Sequence, residues 1–155
     1  MNRESGSLLV ELLVGCTLLT VGLLGFCTSF ASNFSATAEV EARDAVRVAF
    51  DNVVESLRTA DFTTLYQNYN NASYEVPGLK SSYGTAYATV ASSFYTNETA
   101  LPAQFGPLTD MDGTGRLDNT NCTTDYKLLP CRLTISYLAG NRMETRERYI
   151  VLRDD

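Results

Sequence analysis

The stretch SGSLLVELLVGC, residues 5–16, begins a run suited to lipid and yet carries a carboxylate. Between Glu4 and Glu39 the only charged residue is Glu11, and the chain is densely apolar from Leu8 to Phe30. About 20 apolar residues is the length a helix needs to cross the hydrocarbon core of a bilayer. A buried core helix is the competing explanation. The chain has 155 residues, and what remains beyond the helical portion is too small to wrap a helix that is apolar on every side.

Beyond Phe30 the helical pattern continues but changes character. Val46, Phe50, Val53, Val54 and Leu57 recur at helical spacing, with Asp44, Arg47, Asp51, Glu55 and Arg58 on the other side. Glu39 with Arg43, and Arg47 with Asp51, are opposite charges four residues apart, a spacing that supports an exposed helix. No proline precedes Pro77. The expected helix runs from about Ser7 to about Ala60, roughly 80 Å at 1.5 Å per residue.

The remainder reads as strands. Residues 62–69 (FTTLYQNY), 83–95 (YGTAYATVASSFY), 131–138 (CRLTISYL) and 145–152 (TRERYIVL) are rich in aromatic and β-branched residues and bounded by Gly, Pro, Asn and Asp. Leu133, Ile135 and Tyr137 alternate with Arg132, Thr134 and Ser136, as in a strand with one buried face. Gly140-Asn141 sits between the last two runs as a hairpin tip. The fold class expected is α+β, a long N-terminal helix packed on a C-terminal antiparallel sheet. Residues 7–30 form its transmembrane half, 31–60 its amphipathic half, and 61–155 the head, with 1–6 as a leader.

A carboxylate within the bilayer costs about 3 kcal/mol or more unless it is paired. The sequence offers no Lys or Arg between Arg3 and Arg43 to pair with Glu11. Cutting the peptide bond after Gly6 would create a cation at the right depth. The new Ser7 ammonium would lie four residues before Glu11, on the same helical face.

Gly6 followed by SLLVELLVGCTLLTVGLLGF resembles the prepilin-type signal of type IV pilins and type II secretion pseudopilins. The TVGLLGF ending is similar to the minor members of that family. The resemblance covers about the first third of the chain. It implies cleavage between Gly6 and Ser7 by a prepilin peptidase, and methylation of the Ser7 amine. It also implies an assembly role in which Glu11 attracts the N-terminus of a neighbouring subunit. The chain would then be a structural subunit, not an enzyme. It would wait as a single-pass precursor in a bacterial inner membrane, head outside the cytoplasm, and pass into a pilus or pseudopilus. Its partners would be other pilin or pseudopilin subunits, the prepilin peptidase, the inner-membrane assembly platform and membrane lipid.

Other readings use the same residues. LVGC ending at Cys16 matches a lipobox, which would make the protein a lipoprotein acylated at Cys16. The continued apolar run TLLTVGLLGF and the acid at Glu11 argue against it. SFA before Ser32 would suit a signal peptidase and release a secreted head, which leaves Glu11 and the amphipathic stripe without a purpose. A membrane-anchored binding or sensor head that never polymerises is the alternative from another functional class.

The head carries Cys122 and Cys131. A disulfide between them, outside the cytoplasm, would contribute about 2.5–3 kcal/mol in the chain-entropy model. Cys16 and Cys27 lie about 16 Å apart along the helix axis and read as small apolar residues. DMDGTGRLD, residues 110–118, resembles a calcium loop, with Asp110, Asp112, Thr114 and Asp118 at positions one, three, five and nine. Position twelve is Asn121 in place of glutamate, so a solvated turn is the preferred reading and no metal or other cofactor is expected. Arg142, Arg146, Arg148 and Arg153 are interleaved with Glu144 and Glu147, and the chain's net charge is −6. This pattern reads as a mixed solvated strand face, with nucleic acid disfavoured as a partner. The chain has no histidine, and no nucleophile–base pair or phosphate loop stands out to support catalysis.

Overall fold

The computed structural model describes residues 3–81, 86–107, 110–117, 121–123 and 126–154, with side chains from Leu9 onward. Helix α1 (Arg3–Thr59) is followed by a 3-10 turn (Phe62–Thr64), helix α2 (Leu65–Tyr69) and strands β1 (Ser73–Lys80) and β2 (Tyr87–Phe94). Two further 3-10 turns (Glu98–Ala100 and Ala103–Phe105) lead to β3 (Leu128–Ala139) and β4 (Arg142–Arg153). The strands form one antiparallel sheet in the order β1-β2-β3-β4. The fold is therefore α+β, a long N-terminal helix with a four-stranded antiparallel sheet. Two compact units divide the chain, Met1–Val40 and Glu41–Asp155.

In the first unit every described side chain from Leu9 to Ala38 is exposed. Helix α1 contains an 18-residue window of mean hydropathy 2.1 with none of it buried, long and apolar enough to cross a membrane.

The second unit holds the core. Val46, Phe50, Val53, Val54 and Leu57, the stripe expected from helical spacing, are all buried, together with Ala42. They share one apolar cluster with Val90 of β2 and with Leu129, Cys131, Leu133, Ile135 and Tyr137 of β3. Each large aliphatic side chain so buried contributes about 1.5–3 kcal/mol. The alternation of buried and less buried residues from Cys131 to Ala139 of β3 shows which sheet face α1 covers. Gly140-Asn141 is the hairpin tip, since Ala139 pairs with Arg142 across it.

One expected strand does not form, and one strand forms that was not expected. Residues 62–69 are a 3-10 turn and a short helix, because their apolar side chains, Phe62, Leu65, Tyr66 and Tyr69, follow helical spacing rather than alternation. Asp61 caps the turn, its carboxylate accepting from the Thr63 N–H at 3.1 Å. Tyr126 holds the segment down by accepting from the Tyr66 N–H at 3.2 Å and donating to the Phe62 carbonyl at 2.6 Å. Strand β1, at SYEVPGLK, was not expected, because Pro77-Gly78 reads as a turn. An edge strand accommodates both residues: the register shifts between Val76 and Lys80, and Gly78 adopts φ 85°.

Candidate functional site

Residues Gly6 and Ser7 lie within the backbone of α1, and the Ser7 side chain falls outside the described ones. Glu11 is exposed and makes no hydrogen bond or ion pair with any described residue. The threonines of the same unit are treated differently by the helix. Thr17 donates to the Val14 carbonyl at 2.8 Å, Thr20 to Cys16 at 2.7 Å, Thr28 to Gly25 at 2.9 Å and Thr37 to Asn33 at 2.9 Å. Each hydroxyl is thus satisfied within its own helix. Glu11 has no such internal solution, since an ionised carboxylate is an acceptor only and the helix N–H groups beside it are already used.

At 100° per residue, Gly15, Gly22 and Gly25 fall on the same side of the helix as Glu11. Nothing lies within 4 Å of where a Cβ would sit on any of these glycines. Phe26, Phe30 and Phe34 form an aromatic ladder that begins beside the glycine side and winds away from it, with ring centroids 5.7 and 5.2 Å apart. Gly15, one turn from Glu11, leaves open backbone beside the acid, and Gly22 and Gly25 lie about 16 and 21 Å from the acid along the same side.

In the head, Cys122 and Cys131 are both buried but are not joined as the expected disulfide. The strand ladder keeps them apart. Cys131 pairs with Phe94 on the β3 side of β2. The Cys122 N–H donates to the Thr96 carbonyl at 2.9 Å, and Asn121 bridges Asn97, on the opposite edge of the same run. Two strand spacings of about 4.8 Å separate the backbones, beyond the ~7 Å limit for a disulfide. Burial pushes the Cys131 thiol up to about 12.

The Asp/Gly loop is organised by its own carboxylates. Asp110 accepts from the N–H groups of Gly113 at 2.7 Å, Thr114 at 3.1 Å and Gly115 at 2.6 Å, and Asp112 accepts from Thr114 at 3.0 Å. The Gly115 N–H foremost, with the Asp112 side chain and the Gly113 and Thr114 amides, lowers the Asp110 pKa. Asp118 of the same motif lies outside the described residues. Sequence reasoning missed Glu98, which is fully buried and accepts from the Met111 N–H at 2.5 Å. Donor atoms of Glu98, Asp112 and Cys122 lie within 4.8 Å of one another, and these are the described residues placed to share a metal ion. Glu98 already spends an oxygen on the Met111 amide, so its role in the structure is to anchor the loop onto the sheet.

The arginine run of β4 divides between the two faces of the sheet. Arg146 and Arg148 pair with Ile135 and Leu133, so they stand on the face that α1 covers, whereas Glu147 pairs with Thr134 on the other. Arg148 reaches Asp51 at 2.5 Å, taking the acid expected to pair with Arg47. Glu144 is held by Tyr137, Arg43 and Arg146 at 2.9, 3.2 and 3.1 Å. Arg146 and Arg148 at alternate positions of a strand were the available signal that these charges face inward.

Comparison of the chain with protein-family models, with curated proteins and with solved structures gives no match.

Proposed function

We propose that this protein is a minor pilin or pseudopilin, a structural subunit with no catalytic activity of its own. A prepilin peptidase cuts it between Gly6 and Ser7 and methylates the new amine. The subunit waits in a bacterial inner membrane with its head outside the cytoplasm, and is then built with other pilins or pseudopilins into a filament by the membrane assembly platform.

The observation that carries this reading is Glu11. Within a helix long and apolar enough to cross a membrane it is a carboxylate with no partner among the described residues, whereas the neighbouring threonine hydroxyls are satisfied internally. An acid in that position needs a cation, no Lys or Arg side chain near it supplies one, and the Ser7 ammonium made by cleavage does, in its own chain or from an adjacent processed subunit during assembly. Gly15, one turn from Glu11 on the same side, permits a close approach there.

Mass spectrometry of the mature N-terminus tests the processing step. A methylated chain starting at Ser7 is the expected result, and a start at Met1, Cys16 or Ser32 overturns the reading. Glu11→Val tests assembly: the variant inserts into the membrane normally but fails to enter filaments. Normal assembly of Glu11→Val would remove the basis of the mechanism.

A further inference from the structure

We propose that the outer edge of β4, with the arginine-lined groove beside it, docks an extended acidic segment of another protein, which adds to the sheet as a fifth strand. The inference concerns the head alone and stands independently of filament assembly.

The edge itself is the first observation. β4 is twelve residues long, without Pro or Gly and without a register shift against β3, and it is the last strand of the sheet. Ala139 and Arg142 flank a two-residue turn and so form a hydrogen-bonded pair, after which bonded and non-bonded pairs alternate. The N–H and C=O groups of Met143, Thr145, Glu147, Tyr149 and Val151 consequently point away from β3. Among the described residues none of them takes a backbone partner. The opposite edge is unsuitable, because β1 carries Pro77, the positive-φ Gly78 and a register shift.

The groove is the second observation. Between α1 and β4 lies a cavity of about 510 Å³ with Arg43, Arg47, Arg146 and Arg148 in its walls. Asp51 and Glu147 share those walls, Glu144 pairs with Arg43 and Arg146, and Asp51 pairs with Arg148, which leaves four cations against three anions around the groove. Arg47 makes no ion pair among the described residues. A cluster of four arginines in a chain of net charge −6 is a local exception, and it lies beside the backbone edge of β4.

Inward charges on an edge strand repel an apolar strand, which would have to bury them unpaired. The same charges favour a strand bearing Asp or Glu at alternate positions, so attraction and rejection come from one set of residues. The outer face sets the rest of the pattern. Met143 and Val151 are 50% and 45% exposed there, Thr145 and Glu147 lie between them and Phe105 packs on Tyr149 at 5.1 Å, so the partner's residues opposite Met143 and Val151 are the apolar ones. Backbone pairing supplies affinity and the alternating side chains supply specificity, the usual division in strand addition.

The probe is a fluorescein-labelled decapeptide of alternating Glu and Val, titrated by anisotropy against the full chain in detergent. Saturable binding that gains amide-exchange protection at Thr145, Glu147, Tyr149 and Val151 supports the proposal. Arg146→Glu with Arg148→Glu weakens that binding at least tenfold. Arg47→Glu, at an exposed helix position outside the ion pairs, weakens it severalfold without touching the sheet. The proposal is overturned by an absence of binding, or by equal binding of an alternating Lys and Val peptide. Binding without edge protection also overturns it, as does concentration-dependent protection of those amides in the chain alone, which would mean that a second copy covers the edge.

Discussion

Tyr137 donates its hydroxyl proton to Glu144 across the β3–β4 pair at 2.9 Å, joining the floor of the core to the charged seam between α1 and β4. Tyr137 is fully buried, yet its oxygen reaches an acid that also binds Arg43 of α1 and Arg146 of β4. One carboxylate thus ties together helix, third strand and edge strand.

A pH dependence follows from that arrangement. The Tyr137 hydroxyl first, then the Arg43 guanidinium and Arg146, hold the Glu144 carboxyl below its ordinary value of 4.5. A carboxyl depressed in the folded state binds fewer protons there than in the unfolded chain. Its stabilisation is therefore complete above pH 4.5 and is lost as pH falls through the lower folded value. Glu144→Gln should melt below the parent at pH 7, and the two melting curves should converge as the pH is lowered beneath 4.5. Circular dichroism melts of the full chain in detergent at a series of pH values measure this.

Leu57 sits at the end of the amphipathic stripe with no exposed surface. Leu57→Ala removes buried methyl groups and leaves a cavity that the helix and sheet fill only in part. The expected loss is about 2–5 kcal/mol of head stability. The apolar residues within 9–38 take no part in this core, so association with vesicles should be unaffected. Urea unfolding followed by tyrosine fluorescence, beside a vesicle flotation assay, separates the two effects.

What the sequence revealed about this molecule tracks the range of the forces involved. The Val46, Phe50, Val53 and Leu57 stripe and the alternation of Leu133, Ile135 and Tyr137 were legible because burial imprints a period on neighbouring residues. Residues 62–69 were misjudged because aromatic and β-branched content was weighed above spacing, while Asp61 and Tyr126, one adjacent and one remote, decide the local conformation. Glu11 was legible as a lone charge in an apolar run. Glu98 was not, because its value comes from Met111, thirteen residues away, and from burial that no local pattern announces. The Asp51–Arg148 pair likewise joins residues 97 apart, and it displaced the local i,i+4 pairing of Asp51 with Arg47.

Glu98 should matter more to stability than its place in a loop suggests. Glu98→Ala removes the acceptor for the Met111 N–H, and Met111 is itself fully buried. A buried amide left without a partner costs about 1–3 kcal/mol. Glu98→Gln keeps a carbonyl oxygen for that amide and should recover most of the loss. Hydrogen exchange at Met111 reads the local effect: fast in Glu98→Ala, slow in the parent and in Glu98→Gln.

The two head thiols provide a direct check on the strand register. Cys131 pairs with Phe94 in the middle of the sheet, and its thiol is pushed up to about 12, so almost none of it is thiolate at pH 8. Cys122 lies buried across the intervening strand. Iodoacetamide should leave both unmodified in the folded chain and modify both once the head is unfolded in guanidinium, with no reductant present. If modification of the unfolded chain required prior reduction, the two residues would be bonded to each other. Thr96 could not then lie between them, and the register of β2 against β3 and of Asn97 against Asn121 would have to be redrawn.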